Sequence, residues 1–254
     1  MPAMTPAAGA RAAEFRPRLV CPPISPSDLE GSPGSVDADA IRRVAAHFAE
    51  PASSFGLELK VAHAIEARGL ACDEDRLRRP FFRLAQEPIV WSWWDALQRL
   101  PLDRAEMLMC ASMLNGAPVG WRQGGMFSHG GGLAPHVYYE TPAQARSWIE
   151  DIASCDRAPS DPVKKALYRF ARIVFAHPFT DANGRFARAA LQAGLARQGV
   201  IATPCLALAP VFHLQTPAIR TALRALGRSG RWDDYFDAMG AVLGDALNWV
   251  RRVG

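Results

Sequence analysis

The stretch His-Pro-Phe-Thr-Asp-Ala-Asn-Gly-Arg-Phe-Ala-Arg, residues 177–188, decides the fold because it joins the two most regular apolar segments of the chain. Before it, apolar residues recur with helical spacing, which predicts an amphipathic helix that Pro178 ends. These residues are Val163, Ala166, Leu167, Phe170 and Val174. After it, a segment that opens at Asn183 is apolar on nearly every side, which predicts a buried and central helix.

Most of the remaining sequence also has helical periodicity. Helices are expected to begin at Asp37 and at the capping box Thr141-Pro142-Ala143-Gln144, and to cover 57–67, 87–100, 103–114, 216–227 and 231–248. Residues 116–140 differ, because seven glycines are interleaved there with aromatic and aliphatic residues, and this composition predicts a short β-hairpin with a glycine-rich tip. The predicted fold class is therefore all-α, a helical bundle with one small β-hairpin.

The composition argues against several classes of protein. Of the 254 residues, 49% are apolar and 21% are charged, which is ordinary for a globular protein with a buried core. The net charge of +4 is small and the basic residues are scattered, so no nucleic-acid partner is expected. The five cysteines form no Cys-x-x-Cys pair and are odd in number, which argues against a disulfide framework and a structural zinc site.

The N-terminus and the hydropathy pattern predict where the protein acts. Residues 1–35 are rich in Pro, Ala, Gly and Ser, which favours a flexible tail over a secretory signal. No apolar run approaches the length of about 18 residues that spans a membrane. We therefore expect no membrane partner and a cytoplasmic address, although a bacterial effector secreted into a host cytoplasm has the same pattern.

Two side chains in the turn suit proton transfer and metal binding. His177 stands at the end of a helix, and an imidazole can exchange a proton near neutral pH. Phe179 belongs in such a polar turn only if it is buried, so we expect it to pin the turn to the core. Asp181 offers a hard oxygen ligand suited to Mg²⁺ that bridges phosphate oxygens.

The residues that follow suit an anion. Asn183 and Gly184 begin a helix, whose first backbone N–H groups are free to bind an anion, and glycine lets a phosphate approach the backbone closely. Arg185 and Arg188 add guanidinium groups on the same helical face. A base, a metal ligand and an anion site within twelve residues predict phosphate-transfer chemistry.

These residues resemble the motif of the Fic family, His-x-Phe-x-Asp/Glu-Ala/Gly-Asn-Gly/Lys-Arg with a second arginine three residues later. The resemblance extends over about 95–245, and Gly120-Trp121-Arg122 looks like the step before the family's flap hairpin. It implies a Fic-like helical bundle with three parts. They are a tail at 1–35, an N-terminal helical extension at 36–94 and the catalytic core at 95–254.

The resemblance also implies an activity, that of a protein adenylyltransferase. Such an enzyme transfers AMP from Mg-ATP to a Ser, Thr or Tyr hydroxyl of a target protein and releases pyrophosphate. His177 would be the base, and Asp181 would hold Mg²⁺ against the α- and β-phosphates. The residues that would bind the nucleotide are Ala182, Asn183, Gly184, Arg185 and Arg188, of which the last would reach the γ-phosphate.

The resemblance assigns the hairpin to target binding. An exposed hairpin edge can hold an extended segment of another protein as an added strand. The residues expected to do so are Phe127, His136, Val137 and Tyr138.

Two family features differ in this sequence. Many relatives carry Tyr-Tyr-x-Ala-Leu in a later helix that lines the base pocket, whereas Ile219-Arg220-Thr221-Ala222-Leu223 lacks the tyrosines. Many relatives also carry a self-inhibiting Ser/Thr-x-x-x-Glu-Gly/Asn helix. Ser54 and Glu58 fit that spacing, but Leu59 follows instead of Gly or Asn. Glu58 is thus the candidate inhibitory residue. The alternatives are restraint by a separate antitoxin-like protein and no restraint at all.

Other interpretations of the turn stay open. The same scaffold could use another donor, giving UMP, phosphocholine or phosphate transfer. It could be a vestigial Fic module that uses the hairpin only to bind a peptide. Residues 177–185 could also be a plain helix stop followed by an Asn-Gly turn, but that explanation leaves His177, Phe179 and Asp181 as coincidences.

Overall fold

The protein is described by a computed structural model that covers residues 20–31, 36–48, 56–70, 89–99, 103–124, 127–128 and 137–254. Predictions that concern other residues lie outside this description. They include the first 19 residues, Ser54 and the hairpin tip with His136.

Over these ranges the chain forms ten α-helices and two very short strands, as the all-α prediction requires. The helices are α1 Ala38–Ala45, α2 Leu57–Glu66, α3 Ile89–Gln98, α4 Arg104–Asn115, α5 Trp148–Arg157, α6 Pro162–Ala176, α7 Asn183–Arg197, α8 Leu208–Leu214, α9 Thr216–Ser229 and α10 Trp232–Val253. The strands β1 Phe127–Ser128 and β2 Val137–Tyr138 pair antiparallel, with Phe127 opposite Tyr138. No described helix is long and apolar enough to cross a lipid bilayer.

One helix has no counterpart among the predictions. Helix α8 covers seven residues, too few to establish an apolar period, and it contains Pro210 in its first turn. Proline is tolerated there because the first N–H groups of a helix have no partner within it. The short apolar run was therefore not recognisable as a helix from its spacing.

Helices α6 and α7 pack side by side at the centre of the bundle, and α3 and α4 cover the other side of α7. The prediction of a buried α7 is confirmed, since Phe186, Ala190 and Leu195 are fully buried. The two helices approach closely at Gly194, where a Cβ would lie 3.4 Å from the Cβ of Ala166, at van der Waals contact. This pair of helices fixes the turn between them in the middle of the molecule.

Part of the predicted flexible tail is in fact packed on the core. Residues 26–29 form a 3₁₀ helix with a capping box at Ser25, and Leu29 is 2% exposed. The Trp232 indole donates to the Pro23 carbonyl at 3.0 Å, and the Asp161 amide donates to the Leu29 carbonyl at 3.1 Å. The prediction of a flexible tail is wrong for residues 20–31. Their composition is low in apolar residues, but composition does not show that Leu29 is buried or that the Pro23 and Leu29 carbonyls accept hydrogen bonds from the core.

Two arginines of α6 are buried in ion pairs with neighbouring segments. Arg169 donates to Asp156 of α5 at 2.5 Å, and both side chains are almost fully buried. Arg172 donates to Glu140 at 2.8 Å and to Asp151 of α5 at 2.7 Å. These charges hold α5 and the segment after β2 against α6.

The Asp156–Arg169 pair yields a stability prediction. Asp156→Ala leaves a buried guanidinium without its carboxylate, and breaking such a pair costs about 3–5 kcal/mol of the free energy of unfolding. The measurement is urea unfolding followed by circular dichroism. Asp234→Ala is the control, because the Arg231–Asp234 pair is exposed and its loss costs about 1 kcal/mol or less. Equal losses in the two variants would contradict the role assigned to the buried pair.

Candidate active site

The turn begins with a strained histidine. Helix α6 ends at Ala176, and His177 caps it in the left-handed region with φ 42° and ψ 57°. A side chain other than glycine adopts this conformation at a cost, so such residues persist only where the surroundings hold them. The His177 amide still donates to the Ile173 carbonyl at 2.9 Å. The histidine therefore stands at the point where the chain leaves α6.

Phe179 anchors the middle of the turn. Its side chain is fully buried and contacts Trp121 and Phe186, with ring centroids 5.2 Å and 5.0 Å away. The backbone of residues 120–122 runs beside it, and the Thr180 amide donates to the Gly120 carbonyl at 2.9 Å. The prediction that Phe179 pins the turn to the core is confirmed.

Asn183 closes the turn with its side chain. Its Oδ1 accepts from the Phe179 amide and its Nδ2 donates to the Phe179 carbonyl, each at 2.9 Å. The residue is 4% exposed. Its amide group therefore shapes the turn, and only its backbone N–H remains available to an anion.

The start of α7 is open for an anion. Ala182 has φ 65° and provides no side-chain cap, so no side chain occupies the first N–H groups of the helix. Gly184 is exposed, and a Cβ there would stand 3.5 Å from Nη1 of Arg188. The missing side chain leaves room beside that guanidinium for an anion at the helix start.

Burial holds His177 in its neutral form. The pKa of the imidazole falls from 6.5 to about 4, chiefly because burial disfavours the charged ring and next because Arg122 is cationic. The Val174 backbone and Asp181 act in the opposite direction. The ring stacks on Tyr139 with centroids 3.8 Å apart. A neutral imidazole at physiological pH is able to accept a proton.

Asp181 and Arg185 stand at the entrance to the turn. The side chain of Asp181 is 68% exposed, and its Oδ1 accepts from the Ala182 amide at 2.6 Å and from Arg185 at 3.5 Å. Arg185 also donates to Oδ1 of Asn115, the last residue of α4. The carboxylate thus remains accessible from solvent while the guanidinium is held by two neighbours.

Arg188 is buried more deeply and lies near enough to Glu58 for the two charges to interact. Its Nε is buried without a hydrogen bond. Burial lowers the pKa of Arg188, and the negative charge of Glu58 raises it by a smaller amount. Oε1 of Glu58 accepts from the Ala209 amide at 3.1 Å, while its buried Oε2 has no hydrogen bond. Burial raises the Glu58 pKa to about 7, opposed by the Ala209 bond and by Arg188.

A cavity of about 250 Å³ opens beside these groups. Tyr139, Gly184 and Arg188 line one side of it, and Arg220 and Arg224 of α9 also contribute. The apolar lining consists of Phe170, Val174, Phe175, Phe212, Ile219 and Leu223. The stretch 219–223, which lacks the family's tyrosines, therefore does face the cavity, with aliphatic side chains and an arginine in their place.

Several predicted site residues remain without a described side chain. Phe127, Val137 and Tyr138 are placed only as strand backbone, and His136 lies outside the described residues. Within the described ranges, no cluster of three or more His, Cys, Asp or Glu side chains could hold a metal ion by itself. The target-binding role of the hairpin stays a prediction.

Sequence reasoning missed three residues of the site. Tyr139 stacks on the imidazole, Asn115 binds Arg185, and Arg122 donates to the His177 carbonyl at 2.7 Å. Each comes from a segment distant in sequence from residues 177–188. Only Arg122 carried a signal, because it belongs to Gly120-Trp121-Arg122, which resembles the step before the family's flap hairpin.

Comparison with known proteins shows similarity to one family. Residues 108–195 match the model of the Fic/DOC family. The fold is similar to the crystal structure of a Fic family protein from Desulfovibrio desulfuricans G20, with a TM-score of 0.52 over 87% of this chain and 76% of that one. The two sequences are 16% identical, so this likeness concerns the fold alone. No curated protein matches the chain.

The environment of His177 yields a prediction for the free protein. Its imidazole should stay neutral on acidification until about pH 4, because the charged ring is poorly solvated where it lies. Proton NMR titration of the histidine ring signals measures this, with His177→Ala assigning the resonance. In urea the same signal should return to a midpoint of about 6.5. A midpoint near 6.5 in the folded protein would contradict the described burial.

Proposed function

We propose that the protein is an adenylyltransferase, because residues 108–195 match the model of the Fic/DOC family. It transfers AMP from Mg-ATP to a Ser, Thr or Tyr hydroxyl of a target protein. Members of the family are generally transferases. The observation that carries the proposal is the turn between α6 and α7, where a neutral imidazole stands beside an uncapped helix start with two arginines.

His177 acts as the base in the proposed reaction. The imidazole accepts the proton of the target hydroxyl while the hydroxyl oxygen attacks the α-phosphorus of ATP. The bond between the α-phosphorus and the bridging oxygen breaks, and pyrophosphate leaves with that electron pair. Positioned general bases of this kind contribute about 10²–10⁴-fold to a rate. The His177 pKa of about 4 keeps the ring unprotonated at neutral pH, so its lone pair is free, but it also makes the ring a weaker base than an imidazole of ordinary pKa.

The start of α7 supports the triphosphate. The backbone N–H groups of Asn183, Gly184 and Arg185 are uncapped, and a helix start contributes up to about 2 kcal/mol towards holding an anion. The guanidinium groups of Arg185 and Arg188 supply charge for the remaining phosphate oxygens. The buried Nε of Arg188, which has no hydrogen bond, is suited to a phosphate oxygen.

Asp181 fits the magnesium ion that the proposal requires. Mg²⁺ commonly binds one or two carboxylates and completes its shell with phosphate oxygens and water. The Asp181 side chain is largely exposed and stands two residues before Asn183, at the mouth of the turn. When bound there, the ion would neutralise charge on the α- and β-phosphates. Asp181 is the one carboxylate in the sequence of residues 177–182, and a single carboxylate is enough for such an ion.

The cavity and the hairpin would receive the two substrates. The nucleoside fits the apolar wall that Ile219 and Leu223 help to form. The target segment would add as a strand along β1 and β2, where Phe127, His136, Val137 and Tyr138 are the proposed contacts. Such an arrangement brings a hydroxyl of the target next to His177.

The transfer predicts a covalent adduct. The purified protein, incubated with Mg²⁺ and each nucleoside triphosphate in turn, should add AMP to itself or to a protein in an added lysate. Intact-mass spectrometry detects the adduct. His177→Ala should lower the initial rate by about 100-fold or more, whereas His47→Ala, an exposed histidine on the far N-terminal segment, should leave the rate unchanged.

Other outcomes of the same experiment decide between the alternatives. A UMP adduct or a transferred phosphate would assign the domain to a different donor. No adduct with any nucleoside triphosphate, with lysate present, would leave phosphocholine transfer or a vestigial binding module as the remaining explanations.

We also propose that Glu58 restrains the enzyme. The charges of its carboxylate and of Arg188 interact, so it would compete with the γ-phosphate for that guanidinium. A purely structural explanation is that Glu58 caps the first turn of α8 through the Ala209 amide. Glu58→Gln separates the two roles, because the amide oxygen keeps the hydrogen bond while the charge is lost. Restraint by a separate antitoxin-like protein stays a prediction.

Glu58→Gln should raise the initial rate of transfer by about 5- to 150-fold, the usual range for coupling between two sites. The effect should depend on pH, since the Glu58 pKa is about 7. Above that value the carboxylate is charged and attracts the Arg188 guanidinium; below it the group is neutral and the restraint is lost. The rate ratio of Glu58→Gln to the unmodified protein should therefore fall as the pH is lowered through about 7. Glu66→Gln on the same helix is the control, and an unchanged rate in Glu58→Gln would remove the idea.

A further inference from the structure

Arg122 connects separate segments of backbone around the site. Its Nε donates to the His177 carbonyl at 2.7 Å, and its Nη2 donates to the carbonyls of Ala176 and Glu140 at 2.8 Å and 2.5 Å. Its Nη1 donates to the Gly124 carbonyl at 2.8 Å. The residue is 7% exposed. A single buried guanidinium thus holds the end of α6 and both approaches to the hairpin.

At the end of α6, Arg122 satisfies carbonyls that the helix leaves open. The last carbonyls of a helix have no partner within it, and Pro178 has no N–H to offer them. A cation there is also favoured by the helix dipole. The bond to the His177 carbonyl fixes the peptide plane that follows the strained residue, and so fixes the direction of the imidazole.

At the hairpin, the same guanidinium holds the residues that lead into and out of the strands. Gly124 precedes β1 by three residues, and Glu140 follows β2 by two. Between β2 and Glu140 stands Tyr139, whose ring lies 3.8 Å from the His177 ring. The position of this stacking partner therefore depends on the Glu140 carbonyl being held.

We propose that Arg122 is a positioning residue of the transfer reaction, which locks the backbone of His177 to both stems of the hairpin. The inference rests on the proposed function for its kinetic consequence. Lysine cannot replace it, because a lone ammonium on a flexible stem lacks the planar fork that reaches acceptors in several directions. The catalytic ring and the target-binding hairpin are thereby held at one fixed separation.

The charge of Arg122 has a second effect on His177. It is the second cause, after burial, of the lowered pKa of the imidazole. The other groups that act on the ring are the Val174 backbone and Asp181, which both raise the pKa. Glu140 lies beside Arg122 and opposes the lowering of the arginine pKa by burial. Removing the guanidinium charge should therefore raise the His177 pKa.

Two variants separate the geometric effect from the electrostatic one. Arg122→Lys keeps a cation but loses the fork, and should lower kcat by about 100-fold, the size expected for a misplacement of about 1 Å, with little change in KM for the nucleotide. Arg122→Gln removes the charge as well, and should in addition move the NMR midpoint of His177 upwards from about 4. Thermal unfolding by circular dichroism reports the folded fraction of each variant.

The control is Arg169→Lys, another buried arginine, whose carboxylate partner is Asp156 on α5. It should lower the unfolding temperature without changing kcat per folded molecule or the His177 midpoint. The proposal is overturned if both Arg122 variants keep the kcat and the midpoint of the unmodified protein. It is also overturned if neither variant folds, since Arg122 would then be a structural residue only.

The NMR titration of His177 tests the role of Arg122 independently of the transfer reaction. If the unmodified protein transfers nothing from any donor, the proposed function fails. The His177 midpoint in Arg122→Gln still decides whether the guanidinium controls the imidazole: an upward shift supports that control, and no shift overturns it.

Discussion

The structure depends on one constraint, the reversal of the chain between two helices that are both buried at the centre of the bundle. Helices α6 and α7 are joined by only six residues, 177–182. In this short connection the backbone of His177 and Ala182 is left-handed, and the buried Phe179 anchors the turn to the core. The strain is sustained because Asn183 and Arg122 bind the backbone of the turn from both sides.

Burial determines the charge state of the groups around this reversal. It lowers the pKa of His177 to about 4 and raises that of Glu58 to about 7, while the arginines nearby remain cationic. The turn and the segments around it thus contain a neutral imidazole, His177, a carboxyl group with a raised pKa, Glu58, and several arginines. Such a site attracts an anion without protonating its own base, which is the electrostatic requirement of the proposed phosphate chemistry.

Hydrogen bonds of Glu140 link the surroundings of this turn to distant parts of the chain. The Glu140 carboxylate accepts from the Cys21 amide and from Arg172, and its carbonyl accepts from Arg122. The packed segment 20–31 and helix α6 are therefore linked to the hairpin stems through one residue. Since Glu140 is 1% exposed, none of these bonds competes with bulk water, and each holds its segment firmly.

The sequence by itself determined the helical class, the buried α7, the pinned Phe179 and the local chemistry of residues 177–188, because apolar period, capping and motif spacing are all short-range properties. Only the tertiary structure decided that Tyr139 stacks on His177, that Asn115 accepts a hydrogen bond from Arg185 and that Glu58 lies near Arg188. It also decided that residues 20–31 are packed rather than flexible. These contacts join segments far apart in the chain, and burial, on which the pKa of each group depends, arises only when those segments come together.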